Sequence, residues 1–264
     1  MTQNTPPCPI IFVGGAPRSG TTVTHALLCT SAHSNVYHPE VAFIRPLVES
    51  YALGMATWQS HTAAFFAEPE HLRIHLSHIV TWAFNHVAAV LKNPDVLCVK
   101  DPMMSPIFPE LRQLLGDRIR FVTVVRHPYD VLRSRQEVIE RAGEPFDARV
   151  VGVIAQEYMN FYTHLDADLL RGALLPLRYE DLDKPETIDR LGAFCGLPDL
   201  APEKVWAESR DQSGVDQSPW TSPKYHSPID TRSRFEPLAD QWCAIVDEIC
   251  GPMMDRFGYA RRTA

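Results

Sequence analysis

The sequence predicts one α/β domain in which a parallel sheet carries helices on both faces. Three observations lead there. Short apolar runs of strand length recur at Ile10–Val13, Asp95–Lys100, Arg120–Val125 and Ala173–Leu177. Stretches of helical length and period separate them, the alternation that parallel crossover units produce. The chain has 264 residues, 45% hydrophobic and 22% charged, an ordinary globular composition with enough length for a sizeable core. The expected domain is residues 1–264, with 209–233 as a lid or loop segment.

The elements follow in order. Ile10–Val13 is a buried-strand run that Gly14 and Gly15 end. From Thr21 a helix carries Val23, Ala26, Leu27 and Leu28. His33–Pro39 reads as a loop, and Glu40 stands where the next helix or turn begins. Pro69–Leu91 is a long helical pattern with Leu72, Leu76, Ile79, Val80, Phe84, Val87 and Leu91 on or near one stripe. Its His71 and His75 lie at i, i+4 without the glutamate of a zinc-binding HExxH, so solvated or acceptor-lining histidines are expected. Asp95–Lys100 is the second strand, ending in Lys100-Asp101-Pro102, and Ser105–Leu115 fits a helix with Pro106 in its first turn. Arg120–Val125 is the third strand and ends at Arg126; His127-Pro128 opens a helix running to about Arg141. Val150–Leu170 is an amphipathic helix, and Ala173–Leu177 the fourth strand, followed by Arg178-Tyr179-Glu180. Thr187–Cys195 is a helix stopped by Gly196 with Pro198 beyond. Ser209–Ser233 is rich in Ser, Pro, Asp and Gln and too long for a passive connector. Leu238–Phe257 is the closing helix.

The first strand, turn and helix carry the chemistry. Backbone N–H groups of the turn and first helical turn lack intrahelical partners, and the helix dipole favours negative charge there. The spacing follows the phosphate loop G-x-x-x-x-G-K-[ST]: Gly15, Gly20 and Thr22 fit, but Thr21 replaces the lysine. The positive charge has moved into the loop at Arg18, a forked donor. A nucleoside triphosphatase would also want an acid after the third strand to hold magnesium, and Arg126 stands there instead. A second anion is therefore expected near Arg126, with Ser134 about two helical turns along. Ligands of such sheets gather outside the strand carboxyl ends. Arg18, Lys100, Arg126 and Tyr179 each follow a different strand, so they converge on a ligand with two separated anionic groups.

A net charge of −7 argues against general nucleic-acid binding. Neither a basic-then-apolar leader nor a bilayer-length apolar run occurs, so a cytoplasmic chain without a membrane partner is expected. The six cysteines form no C-x-x-C pair and read as reduced core thiols, with no metal site among them.

Four motifs in order resemble the PAPS-dependent sulfotransferases, closest to the tyrosylprotein and bacterial branches. Pro17–Thr22 (PRSGTT) resembles the loop that holds the 5′-phosphosulfate, which implies Arg18, Ser19, Gly20, Thr21 and Thr22 as nucleotide-binding residues. Val124–Ser134 resembles the segment whose Arg and Ser hold the 3′-phosphate, here Arg126 and Ser134. Arg178–Leu182 resembles the segment whose tyrosine lies by the adenine, here Tyr179. Ser233–Phe235 with the closing helix resembles the family C-terminus, adding Ser233 and Arg234, and Glu208–Gln212 resembles a segment whose serine reaches the phosphosulfate, here Ser209. The histidine base of the small-molecule branch would fall on Pro102, which rules it out; the tyrosylprotein pattern instead implies Glu40 as base and Lys100 on the transferring group. Another phosphate-contacting arginine of that branch falls on Val138, so either Arg133 or Arg135 substitutes or that contact is missing.

The resemblance implies metal-independent, in-line transfer of a sulfuryl group from PAPS, leaving PAP, to a hydroxyl, phenol or amine. Arg18 and Lys100 receive developing charge beside Glu40, with His38 as the alternative base. A phosphate-loop kinase or NTPase and a non-catalytic nucleotide-binding protein are the alternatives. The acceptor and the oligomeric state, a homodimer included, stay open. Trp58, Phe65, Phe66, Trp82, Phe84, Tyr158, Phe161 and Tyr162 are core residues or lining for the acceptor pocket.

Overall fold

All five residues of β1 (Ile10–Gly14) are buried, and alternate side chains go to opposite layers. Ile10 and Phe12 pack in one core and Ile11 and Val13 in another, so both sheet faces need helical cover. A computed structural model of the chain describes residues 8–205, 229–231 and 237–262. After β1 come α1 (Thr21–Leu28), α2 (Arg45–Ala56), α3 (Pro69–Val90), β2 (Leu97–Lys100), α4 (Phe108–Leu115) and β3 (Ile119–Val125). Then follow α5 (Pro128–Arg141), α6 (Ala148–Asn160), β4 (Leu174–Arg178), α7 (Pro185–Cys195) and α8 (Asp240–Phe257).

The four strands lie in the order β2-β1-β3-β4, every neighbouring pair parallel. Val13 pairs with Lys100, Gly14 with Thr123 and Val125 with Arg178, so all four strands end at the same sheet edge. The α/β sheet with helices on both faces is thus the fold the sequence predicts. Phe12 and Phe121 face α2, α3 and α4, where Phe84 and Phe108 meet the Phe12 ring edge-on. Ile11, Val13, Val122 and Val124 face α1 and α7. A third core joins α5, α6 and α8 below the end of β3, around Val125, Tyr129, Tyr158 and Cys250.

Two helices depart from the expected bounds by more than two residues at one end. The Ser105–Leu115 stretch begins as a 3₁₀ turn over Pro102–Ile107, because the Asp101 carboxylate takes the Met103 N–H at 2.9 Å; the α-helix starts only at Phe108, with a proline in its first turn. The Val150–Leu170 stretch begins earlier and ends earlier. Asp147 caps α6 by accepting the Val150 N–H at 2.9 Å. After Asn160 the chain passes into 3₁₀ turns at Thr163–Asp166 and Asp168–Leu170, with His164 turned inward onto the Thr123 hydroxyl at 2.7 Å. That buried contact holds His164 beneath β3, where a continued helix would have carried it away.

Candidate functional site

The site is built where the four strands end. β2 lies at the sheet margin, and residues 33–41 cover its open edge. The Val96 N–H donates to the His33 carbonyl at 3.0 Å. Asn35 acts as a surrogate strand at Cys98: its Oδ1 accepts the Cys98 N–H at 2.7 Å and its Nδ2 donates to the Cys98 carbonyl at 3.0 Å. The Val41 N–H then donates to the Lys100 carbonyl at 3.2 Å. Pinned this way, Glu40 meets the last residue of β2, and the Lys100 ammonium donates to Glu40 Oε1 at 2.7 Å. The Lys100 side chain is 5% exposed and that of Glu40 44%, so the lysine is buried behind a carboxylate that opens to solvent.

Between β1 and α1 the chain turns through three positions that tolerate only particular backbones. Gly15 has φ +133°, and a Cβ there would lie 2.3 Å from the Val124 carbonyl oxygen. Gly20 has φ +104°, and a Cβ there would lie 2.3 Å from the Tyr179 ring. Arg18, at φ 75°, adopts the left-handed conformation without being glycine, a strained state that ligand loops commonly hold. Gly20 supplies no side-chain cap to α1, so the first-turn amides at Thr21, Thr22 and Val23 remain an anion cradle. The loop is braced from below by the Gly15 N–H donating to Ser105 Oγ at 2.7 Å. The Ala16 N–H donates to the Tyr162 hydroxyl at 3.2 Å, and that hydroxyl donates on to the Val124 carbonyl at 3.0 Å.

The far arm lies after β3 and β4. Arg126 is 8% exposed, its guanidinium 4.3 Å from the centre of the Tyr179 ring and 3.8 Å from Asp130. Its Nη1 donates to the Arg18 carbonyl at 3.4 Å, tying the two arms together. Arg18 Nε donates to Ser134 Oγ at 2.9 Å, so the loop arginine reaches across to α5. Glu180 fixes the turn beneath, accepting from the His127 N–H at 2.8 Å and from the Tyr259 hydroxyl at 2.7 Å.

The structure therefore brings Arg18, Ser19, Gly20, Thr21 and Thr22 together with Arg126, Ser134 and Tyr179, and pairs Glu40 with Lys100 on the adjacent strand. Ser209, Ser233 and Arg234 lie outside the described residues, as do 209–228 and 232–233 of the expected lid segment. Arg135 donates to Glu157 of α6 at 3.1 Å. Phe84, Tyr158, Phe161 and Tyr162 are core residues, whereas Phe65 and Trp82 are 83% and 71% exposed. Ser105, Tyr162, Glu180 and Tyr259 were not legible as braces of the site, because each is bonded to a residue far along the chain. Among the described residues no group of His, Cys, Asp and Glu side chains is placed to hold a metal ion, and no helix is long and apolar enough to cross a membrane.

Two histidines flank the Lys100 pair. His25 Nε2 lies 3.0 Å and His38 Nε2 3.1 Å from the Cys98 carbonyl, their rings edge-to-face at 4.8 Å. Burial, with the Lys100 charge adding to it, lowers the proton affinity of both. Beside them the Asp101 carboxyl is raised, first by burial.

Residues 9–202 match the profile of the Sulfotransferase family. The fold is similar to the sulfotransferase domain of the Synechococcus PCC 7002 olefin synthase, at TM-score 0.61 and 19% identity over 98% of this chain and 99% of that one. It is also similar to a sulfotransferase from Mycobacterium avium (TM-score 0.54, 14% identity, 98% of this chain and 79% of that one). A third similar fold is the sulfotransferase domain from the curacin biosynthetic pathway (TM-score 0.53, 19% identity, 97% and 99%). No curated protein sequence matched.

Proposed function

The chain belongs to the sulfotransferase family, and from that premise we propose that it moves a sulfuryl group from PAPS to an acceptor hydroxyl, phenol or amine. The observation that carries the reading is the lateral order of the site. Along the edge run the Glu40–Lys100 pair after β2, the cradle after β1, Arg126 after β3 and Tyr179 after β4, across three strand spacings or about 14 Å. A nucleotide with phosphates at both ends of its ribose and a sulfuryl group beyond the 5′ end matches that order.

In this reading PAPS supplies an activated sulfuryl group on its 5′-phosphate. The first-turn amides of α1 hold that phosphate by charge and hydrogen bonding. Arg126 and Ser134 hold the 3′-phosphate, with Arg18 reaching Ser134 from the loop. Tyr179 supports the Arg126 guanidinium and lies beside the base. Lys100 Nζ is the buried cation next to the transferring group, so it stabilises charge that develops there without first shedding water. Glu40 takes the acceptor proton on its exposed carboxylate, a contribution of roughly 10²–10⁴-fold. Fixed cations fill the place that magnesium holds in phosphoryl transfer.

Incubation with sulfur-labelled PAPS and a panel of phenols, alcohols, amines, sugars and tyrosine peptides tests the reading. Label should move to at least one acceptor without added metal; magnesium-dependent ATP turnover in its place would indicate a kinase or NTPase. Glu40→Gln should keep PAP affinity while losing rate by roughly 10²–10⁴-fold. Undiminished turnover of that variant would remove Glu40 as the base.

A further inference from the structure

This inference rests on the reading of Glu40 and Lys100 as the transferring pair. Their contact depends on a stretch of chain that the edge of β2 does not fully hold. Asn35 is bonded to Cys98, and Val41 to Lys100. Five residues, Val36–Glu40, therefore span a distance that Val99 alone spans on β2. They must bulge away from the strand, and Glu40 sits at the end of the bulge.

The geometry points to His38 as the positioning residue that folds this bulge back and holds Glu40 against Lys100. Its ring stands between two main-chain carbonyls, with Nδ1 2.6 Å from that of Pro39 and Nε2 3.1 Å from that of Cys98. A proton on Nδ1 fixes the peptide that joins Pro39 to Glu40, and a proton on Nε2 ties the bulge to β2. The imidazolium does both. In every protonation state the ring fills the space between strand and loop. Its edge-to-face partner His25, fully buried, is itself fixed 3.0 Å from the same Cys98 carbonyl. The neighbouring Tyr37 ring is buried 5.2 Å from that of His25, which anchors the bulge on its apolar side.

The same contacts argue against His38 as the proton acceptor, the alternative that sequence alone left open. A base must present a nitrogen lone pair to the acceptor substrate. Both nitrogens of His38 face carbonyl oxygens of the protein, so neither lone pair is presented to a substrate. Glu40, by contrast, keeps one carboxylate oxygen on Lys100 and is exposed.

The test compares His38→Ala and His38→Gln, the glutamine amide being able to donate to a carbonyl but unable to act as a base. His38→Ala should lose about 10- to 100-fold in kcat, the scale of a misplaced catalytic group, with PAP affinity unchanged. His38→Gln should recover most of that rate. Two equally inactive variants, with the alanine form rescued by added imidazole, would make His38 the base and overturn the proposal. A kcat unchanged in His38→Ala would overturn it as well. Crystal structures of wild type and His38→Ala decide the point without any acceptor. The Glu40–Lys100 contact should open beyond hydrogen-bonding distance in the variant, and a contact kept as in wild type would refute the positioning role. Absence of sulfuryl transfer by wild-type protein would reject the functional reading alone, because the structural comparison still tests what His38 holds.

Discussion

At the scale of single residues, the site depends on where cations stand when no acid follows the third strand. Arg126 is nearly buried, stacked on Tyr179, and joined to the loop through the Arg18 carbonyl. A guanidinium so confined has lost most of its water, so a phosphate that meets it gains a charge-assisted hydrogen bond at little further cost. Arg126→Ala should therefore weaken PAP binding by roughly 1.5–3 kcal/mol and abolish the preference for PAP over AMP, as titration calorimetry with the two nucleotides would show. Arg18, Lys100, Arg126 and Tyr179 were legible in the sequence because each stands at or shortly beyond the end of an apolar run of strand length, and parallel strands end together. The reach of Arg18 to Ser134 was not legible. It depends on a positive φ at a non-glycine residue, which no local pattern announces.

At the scale of elements, the turn between β1 and α1 is braced by elements distant in sequence. Ser105, in the 3₁₀ turn before α4, accepts the Gly15 N–H, and Tyr162, just past α6, accepts that of Ala16. Ser105→Ala leaves the buried Gly15 amide without its acceptor. It should cost about 1–3 kcal/mol in denaturant-unfolding stability and weaken PAP binding alongside. A variant with normal stability and normal PAP affinity would show that the turn needs no such brace. The strands and most helices could be read from periodicity, since apolar runs and glycine stops are local signals. The start of α4 and the end of α6 could not: the Asp101 cap opens a 3₁₀ turn in place of the first turn of α4, and His164 leaves the α6 line for a contact with Thr123 made only in the folded chain.

For the whole molecule, the packing that places the site also buries histidines. His164 lies beneath β3 with its pKa lowered from 6.5 to about 4 by burial, and burial also lowers His25 and His38. Between pH 6.5 and 4 the unfolded chain binds protons that the native His164 does not, so stability must fall as pH falls through that window. His164 alone accounts for about 3 kcal/mol of that loss. Urea midpoints measured from pH 7 to pH 4 should decline, and the decline should be shallower in His164→Gln; a flat profile would contradict the buried neutral ring. The same packing fixes the sheet order that sets the Glu40–Lys100 pair and the Arg126–Tyr179 pair on opposite flanks of one loop. The central claim is that the cradle at the start of α1 and the Arg126 arm hold the two phosphates of one nucleotide, and a crystal structure with PAP bound tests it most directly. The 5′-phosphate should lie on the first-turn amides of α1 and the 3′-phosphate against Arg126 and Ser134. A 3′-phosphate bound away from the Arg126 guanidinium would contradict the account.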